Sequence, residues 1–147
     1  MEKISYSWDP DSGIATCTFR VGDKSFVGEA KCAEADLDMM SEFTGCTIAL
    51  QRAQLKILID ERDNIIQPGL KALKQLYYSI NCSKKFNSDS YETTMLLNQI
   101  QHYEDDLAYI KNAIEFTRRR LKQYLQDKEQ FHENLRKIRK KENTSKE

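Results

Sequence analysis

The feature that most constrains this chain is a long, regular spacing of apolar side chains near its C-terminus. The intervals alternate between four and three residues, at Leu96, Ile100, Tyr103, Leu107, Ile110, Ile114, Thr117, Leu121, Tyr124, Lys128, Phe131, Leu135 and Ile138. A sustained seven-residue repeat is typical of a helix that supercoils with a partner. At about 1.5 Å per residue, the predicted helix over residues 90–141 is roughly 80 Å long. A short sheet and one kinked helix cannot cover the apolar seam formed by these residues along its whole length. We therefore expect a homo-oligomer, a dimer or higher, in which a second copy buries the rest of the seam.

The first 32 residues show a period of two instead of seven. Ile4, Tyr6 and Trp8 alternate with polar residues, and β-branched and aromatic residues fill residues 14–21 and 25–32. The segments between them, residues 9–13 and 22–24, contain the aspartate, proline and glycine residues that favour turns. Residues 1–32 are therefore predicted to form a β-hairpin layer. Gly28, inside the third strand, indicates a bulge or a close approach of another backbone.

A first long helix is predicted over residues 41–82. Helix-capping residue types cluster just before and at its start. Pro68 lacks an N–H, so we expect a kink there, with two separate helices as the alternative. A polar connection leads into Asp89, three residues before Glu92, which has the spacing of a capping box. The fold class is thus α+β: a short antiparallel sheet followed by two long helices in a helical hairpin or coiled coil, forming one domain over residues 1–142 with a disordered tail at 143–147.

Charge and composition limit the functional classes. The chain has 23 basic and 23 acidic residues, and this neutral balance argues against a general nucleic-acid binder. Residues 1–42 are acidic, with nine acidic against four basic side chains, whereas residues 118–141 carry ten basic against three acidic. No apolar run reaches the roughly 20 residues that span a bilayer, and no signal peptide is recognisable. The four cysteines form no C-x-x-C pair, so we expect a cytoplasmic protein with reduced thiols.

No catalytic motif is present in the sequence. The glycine-rich patterns that cradle phosphates are missing, and the two histidines, His102 and His132, are far in sequence from the cysteines. We therefore expect a protein that is not an enzyme and that has no cofactor and no metal site.

The strongest binding signal is a run of three arginines. Arg118, Arg119 and Arg120 are followed by Lys122, and Arg118 and Lys122 share a helix face at a spacing of four residues. The planar guanidinium group suits phosphate because it donates two hydrogen bonds at once. The alternative is a solvated face whose arginines pair with nearby carboxylates or with another chain. A second cluster is interpreted as structural: Asp36, Asp38, Ser41, Glu42, Thr44, Gly45, Arg52 and Lys56.

One stretch resembles small proteins encoded by phages and prophages of Gram-positive bacteria. It comprises FVGEAKC at residues 26–32, DLD at 36–38, SEFTG at 41–45 and IALQRAQLK at 48–56. The overall plan of strands followed by long helices resembles the phage Thoeris anti-defence sponge family of the first type. That resemblance implies an oligomer in the bacterial host cytoplasm that sequesters a cyclic nucleotide-derived immune signal, glycocyclic ADP-ribose or a cyclic oligonucleotide, without degrading it.

The resemblance also suggests site residues. The family binds its ligand through an aromatic residue, an asparagine and paired arginines from the helical region. The arginines match residues 118–120, while Tyr91, Asn98 and Tyr103 are candidates by their position on the last helix. Two other functions stay open: a structural or protein-interaction coiled-coil module of phage origin, and a nucleic-acid accessory protein that uses the basic C-terminal helix.

Overall fold

A three-stranded antiparallel sheet followed by helices makes this an α+β fold, as the sequence predicts. The computed structural model describes residues 2–32, 41–82 and 91–145. Its elements are β1 (Glu2–Asp9), β2 (Ile14–Val21), β3 (Lys24–Lys31), α1 (Glu42–Glu61), a π-helical turn (Arg62–Ile66), α2 (Gln67–Asn81) and α3 (Tyr91–Ser145). Within these ranges no helix combines the length and apolarity that crossing a bilayer requires.

The two hairpins follow from their turn residues. The strand order is β1-β2-β3, and both pairs are antiparallel. In the first turn the Asp9 carboxylate accepts hydrogen bonds from the Asp11 N–H at 3.0 Å and the Ser12 hydroxyl at 2.8 Å. Gly13 and Gly22 have φ of 69° and 60°, a conformation that glycine adopts without strain. These local interactions set the register of the sheet.

The chain divides into two compact units. The first, here called the sheet unit, comprises Met1–Lys56 and Phe116–Glu147, and the second, the helical unit, comprises Ile57–Glu115. Small side chains dominate the sheet unit's buried core, which is formed by Ala15, Cys17, Ala30, Ile48, Ala49 and Ala53.

Gly28 explains how α1 comes so close to the sheet. A Cβ atom built on Gly28 would lie 2.0 Å from the carbonyl oxygen of Ala49 and 2.5 Å from the backbone nitrogen of Ala53. The β2–β3 register runs through Gly28 without an extra residue, so there is no bulge. The sequence left open a bulge or a close approach, and the structure has the close approach.

Residues 42–81 are helical throughout, with the two α-helices α1 and α2 joined end to end by the π-helical turn. The irregularity that we expected at Pro68 lies one turn earlier, in the π-helical turn. There the N–H of Gln67 donates to the carbonyl of Arg62, five residues back. Because proline has no N–H and its ring crowds the turn before it, a widened turn lets the helix continue through Pro68.

The helical unit has its own core. Leu70 of α2 is buried with Leu96 and Ile100 of α3, and half-buried apolar residues surround them. Gly69 gives room to Tyr103, whose Cε1 would lie 2.6 Å from an added Cβ. Apolar residues predicted from the helical period therefore do pack together within this unit.

The burial of α3 follows the predicted heptad positions only as far as Lys128. Phe131 should be the next buried position, but it is 59% exposed, and His132 is buried at 3% exposure instead. A straight helix of 3.6 residues per turn drifts by about 20° per heptad, which moves the buried stripe by one residue. Helix α3 also continues to Ser145, so 143–145 of the predicted disordered tail are helical. Residues 90, 146 and 147 lie outside the described ranges.

Candidate functional site

The exposed stretch Phe116 to Lys122 of α3 is the candidate site that the sequence singled out. Its polar members, Arg118, Arg119, Arg120 and Lys122, are all exposed, whereas Thr117 and Leu121 are half-buried. Successive helix residues point about 100° apart, so the three arginines leave the helix in three directions. Arg118 and Lys122 are one turn apart and present two cationic groups on one side.

Arg120 has a defined position above an aromatic ring. Its guanidinium carbon lies 5.7 Å from the centroid of the Phe116 ring, one helical turn earlier. An exposed cation–π contact of this kind contributes about 0.5–1 kcal/mol. A cation–π contact uses no N–H donor, so the Arg120 guanidinium keeps its hydrogen-bonding capacity for an anion. Phe116 is 59% exposed, so much of its ring is accessible to a planar group.

The three positional candidates do not form a single group. Tyr91 and Asn98 are exposed and lie seven residues apart on α3, which places them on the same side of the helix. Tyr103 is half-buried against Gly69 and belongs to the helical unit's core. All three lie in the helical unit, while the arginine run lies in the sheet unit. Their role in ligand binding stays a prediction.

A groove in the helical unit has no counterpart among the sites predicted from the sequence. It has a volume of about 660 Å³ and is lined along α2 by Gln67, Leu70, Lys71, Lys74, Gln75, Tyr78 and Ser79. Lys74 forms an ion pair with Glu104 at 3.2 Å. The spacing of Lys71, Lys74 and Tyr78 by three and four residues was the available signal, because such residues share one helix face.

Arg52 and Lys56 have the structural role that the sequence analysis expected. The Arg52 guanidinium donates to the carbonyl of Glu29 at 2.6 Å, and the Lys56 ammonium donates to the carbonyl of Val27. Both carbonyls belong to β3, an outer strand of the sheet. Helix α1 itself is capped by Ser41, whose hydroxyl accepts the Thr44 N–H at 3.1 Å. Asp36 and Asp38 lie outside the described residues.

Replacing Arg52 with leucine should lower the free energy of unfolding by about 1 kcal/mol, because the Glu29 carbonyl loses a charged donor. Chemical denaturation monitored by circular dichroism measures this change. Arg20→Leu, at an exposed arginine of β2 in the same sheet unit, removes the same charge and serves as the control. Equal free energies of unfolding for the Arg52→Leu and Arg20→Leu variants would contradict a stabilising role for the hydrogen bond from Arg52 to Glu29.

All four cysteines are free thiols, and their surroundings differ. Burial raises the pKa of Cys17, and the nearby Cys46 raises it further. Burial also raises the pKa of Cys46, with Glu42 adding to the effect. Cys82 is exposed at the end of α2. The described residues contain no group of three or more histidine, cysteine or acidic side chains that could hold a metal ion.

Alkylation by iodoacetamide near pH 8 should modify Cys82 first and Cys17 last. A raised pKa lowers the thiolate fraction at a given pH, and only the thiolate is nucleophilic. Mass spectrometry of digested samples measures the four rates, and protein unfolded in urea is the control in which the differences should largely vanish. Fast labelling of Cys17 in the folded protein would show that it is not buried as described.

Comparisons of the chain with family models, with characterised proteins and with solved structures gave no match.

Proposed function

We propose that this protein binds a small anionic nucleotide signal and sequesters it without chemical change. The proposal is carried by an exposed stretch of α3, Phe116 to Lys122, that has cations on two sides of the helix and an aromatic ring on one of those sides. Two cations share one side of α3, and a third is held over the aromatic ring. In a nucleotide a sugar joins the phosphates to a planar base; the cations suit the phosphates, and the aromatic ring suits the base.

Sequestration requires affinity rather than catalysis. A sponge must compete with the signal's receptor, which needs a dissociation constant near nanomolar, or about 12 kcal/mol of binding free energy. A few exposed side chains on one helix offer too few contacts for that affinity. The proposal therefore includes assembly of the chain into a dimer or higher homo-oligomer, in which a second copy adds contacts to the ligand.

The ligand that we propose is glycocyclic ADP-ribose or a cyclic oligonucleotide. This choice rests on the resemblance of residues 26–56 and of the strand–helix plan to the phage sponge family. In that role the protein acts in the cytoplasm of an infected bacterium and blocks a nucleotide-based immune response. The basic run on α3 is compatible with such a polyanionic ligand.

Isothermal titration calorimetry with glycocyclic ADP-ribose and with cyclic di- and trinucleotides tests the proposal. We expect nanomolar binding of at least one of them, with the ligand recovered intact by chromatography after the protein is denatured. ADP-ribose, which lacks the cyclic linkage, is the control and should bind more weakly. Absence of binding to every cyclic nucleotide, or recovery of a cleaved product, would overturn sequestration.

A second candidate function, a protein-interaction module, is favoured by the exposed apolar residues near the end of α3. Phe131 and Ile138 are 59% and 53% exposed and lie seven residues apart on one helix face. Affinity purification from infected cells tests this function. One stoichiometric protein partner, lost in a Phe131→Ser variant, would support it, whereas a homogeneous preparation of the chain alone would count against it.

A further inference from the structure

The two outer strands of the sheet differ in what covers their free edges. The Cys32 N–H donates to the carbonyl of Gly13 at 3.0 Å, which identifies Gly13 and Cys32 as a hydrogen-bonded pair. Hydrogen-bonded and non-bonded pairs alternate along an antiparallel ladder. With the observed register, the backbone groups of Val27 and Glu29 therefore point away from β2, and their carbonyls are the ones that Arg52 and Lys56 bind. Side chains of α1 thus occupy two of the outward carbonyls of the β3 edge.

The β1 edge has no such cover among the described residues. The same alternation carries across β2, so residues 3, 5, 7 and 9 bond to β2 and the backbone groups of Ile4, Tyr6 and Trp8 point outward. No described residue forms a hydrogen bond with these outward groups. Ile4 and Tyr6 are also 45% and 52% exposed. An uncovered strand edge of this kind is a template for another strand.

An apolar groove runs beside this open edge. It has a volume of about 500 Å³ and is lined by Tyr6 of β1 and by Glu42, Phe43, Cys46, Thr47 and Leu50 of α1. Phe43 is 78% exposed, the highest value among the large apolar residues of the described chain. A strand added to β1 would extend the sheet past this groove, and the groove could then receive side chains from the added strand.

The β1 sequence is complementary to itself in one register. When two copies pair antiparallel about Tyr6, Ile4 faces Trp8 of the partner subunit, and Lys3 faces Asp9 of the partner subunit. Shifting the pairing by two residues either way removes the Lys3–Asp9 match, because Lys3 then faces Ser7 or a residue beyond the strand. Opposite charges directly across a strand pair are stabilising.

We propose that β1 pairs antiparallel with β1 of a second copy, with Tyr6 opposite Tyr6 of the partner subunit, to form a continuous six-stranded sheet. Six backbone hydrogen bonds join the two strands, from the outward groups of Ile4, Tyr6 and Trp8 in each copy. The twofold axis makes both sides of the contact identical, as in most homodimers. The inference rests on the assembly step of the proposed function, and it does not depend on which ligand binds.

The first test removes outward N–H groups without disturbing the pairing of β1 with β2. In an Ile4→Pro variant the lost N–H is one that points away from β2, a position where an edge strand tolerates proline. We expect the dimer dissociation constant, measured by sedimentation velocity, to rise about tenfold or more because two hydrogen bonds per dimer are lost. Circular dichroism checks that the fold is kept. An unchanged dissociation constant would overturn the proposal.

A charge reversal provides a second variant in case proline disturbs the strand. Lys3→Glu places two acidic side chains across the interface and should also weaken the dimer. Lys31→Glu makes the same change on the same sheet face at the β3 edge, so it should leave the dimer intact. Equal effects of the two reversals would show that β1 is not the interface.

Cross-linking tests the register directly. Ser5 and Ser7 of the partner subunit form a non-hydrogen-bonded pair in the proposed register, with Cα atoms about 4.5 Å apart, within disulfide range. A mixture of Ser5→Cys and Ser7→Cys proteins should form a disulfide-linked dimer on oxidation, identified by peptide mass spectrometry, while each variant alone should not form this link. A link in Ser5→Cys alone or Ser7→Cys alone indicates a shifted register, and absence of any link overturns the β1 pairing. Titrating the Ile4→Pro variant with nucleotide separates this proposal from the proposed function. If the variant no longer dimerises but still binds nucleotide, the β1 interface is not needed for binding, and the binding function itself stands.

Discussion

Replacing Gly28 with alanine is expected to lower the free energy of unfolding by about 3 kcal/mol or more, the upper part of the range for overpacking. The added Cβ would lie 2.0 Å from the Ala49 carbonyl oxygen and 2.5 Å from the Ala53 nitrogen. Both atoms are helix backbone, so no side chain can rotate away and α1 must move off the sheet. Ala49 and Ala53 are fully buried, so this movement opens the sheet unit's core. Urea denaturation monitored by circular dichroism measures the loss.

Gly69→Ala is the matched control for that experiment. Its added Cβ would also meet a close neighbour, at 2.6 Å, but that neighbour is the Tyr103 ring, which can shift. The substitution also gains up to about 1 kcal/mol of helix propensity. We expect a change within about 1 kcal/mol of the native protein. Similar destabilisation by the two alanines would mean that the backbone approach at Gly28 is not what limits the fold.

The regular elements were predictable because their signals are periodic. Alternation at Ile4, Tyr6 and Trp8 predicted β1, and the four-and-three spacing predicted α3. The place where Phe131 gives way to His132 was not predictable, because it depends on how far a real helix departs from an ideal seven-residue repeat. The π-helical turn before Pro68 likewise depends on how the chain satisfies its backbone around a proline, which residue types alone do not specify.

The candidate site was predictable in chemistry but less so in geometry. Residue types identified the arginines, yet consecutive helix positions diverge, so only Arg118 and Lys122 share a side. The contact of Arg120 with Phe116 follows from a spacing of four residues and was available from the sequence. The partners of Arg52 and Lys56 were not, because they lie 23 and 29 residues away along the chain. Such contacts depend on the fold, and a single sequence gives no direct measure of them.

Removing the paired cations of α3 should abolish tight binding of the nucleotide while leaving the fold intact. In an Arg118→Ala/Lys122→Ala double variant, we expect the dissociation constant for glycocyclic ADP-ribose to rise by a factor of about 100 to 10,000. Each charged hydrogen bond to phosphate contributes about 1.5–3 kcal/mol, and two are lost. Both side chains are exposed, so unfolding should occur at the same urea concentration as in the native protein. Calorimetric titration of the variant measures the change.

The control for this variant must remove the same charge from the same helix. Lys137→Ala/Lys141→Ala removes two exposed cations at the same spacing of four residues, outside the candidate site. If binding depends only on the positive field of α3, both double variants will weaken it similarly and will do so less as salt is raised, because salt screens exposed charges. If Arg118 and Lys122 contact the phosphate directly, the loss of affinity in the Arg118→Ala/Lys122→Ala variant will persist at high salt, and the control will bind like the native protein.

Replacing Phe116 with leucine then separates phosphate binding from base stacking, since it removes the ring and keeps all the cations. Equal binding by the native protein and the Arg118→Ala/Lys122→Ala variant would exclude this face of α3 as the nucleotide site and direct attention to the Lys71 groove of α2.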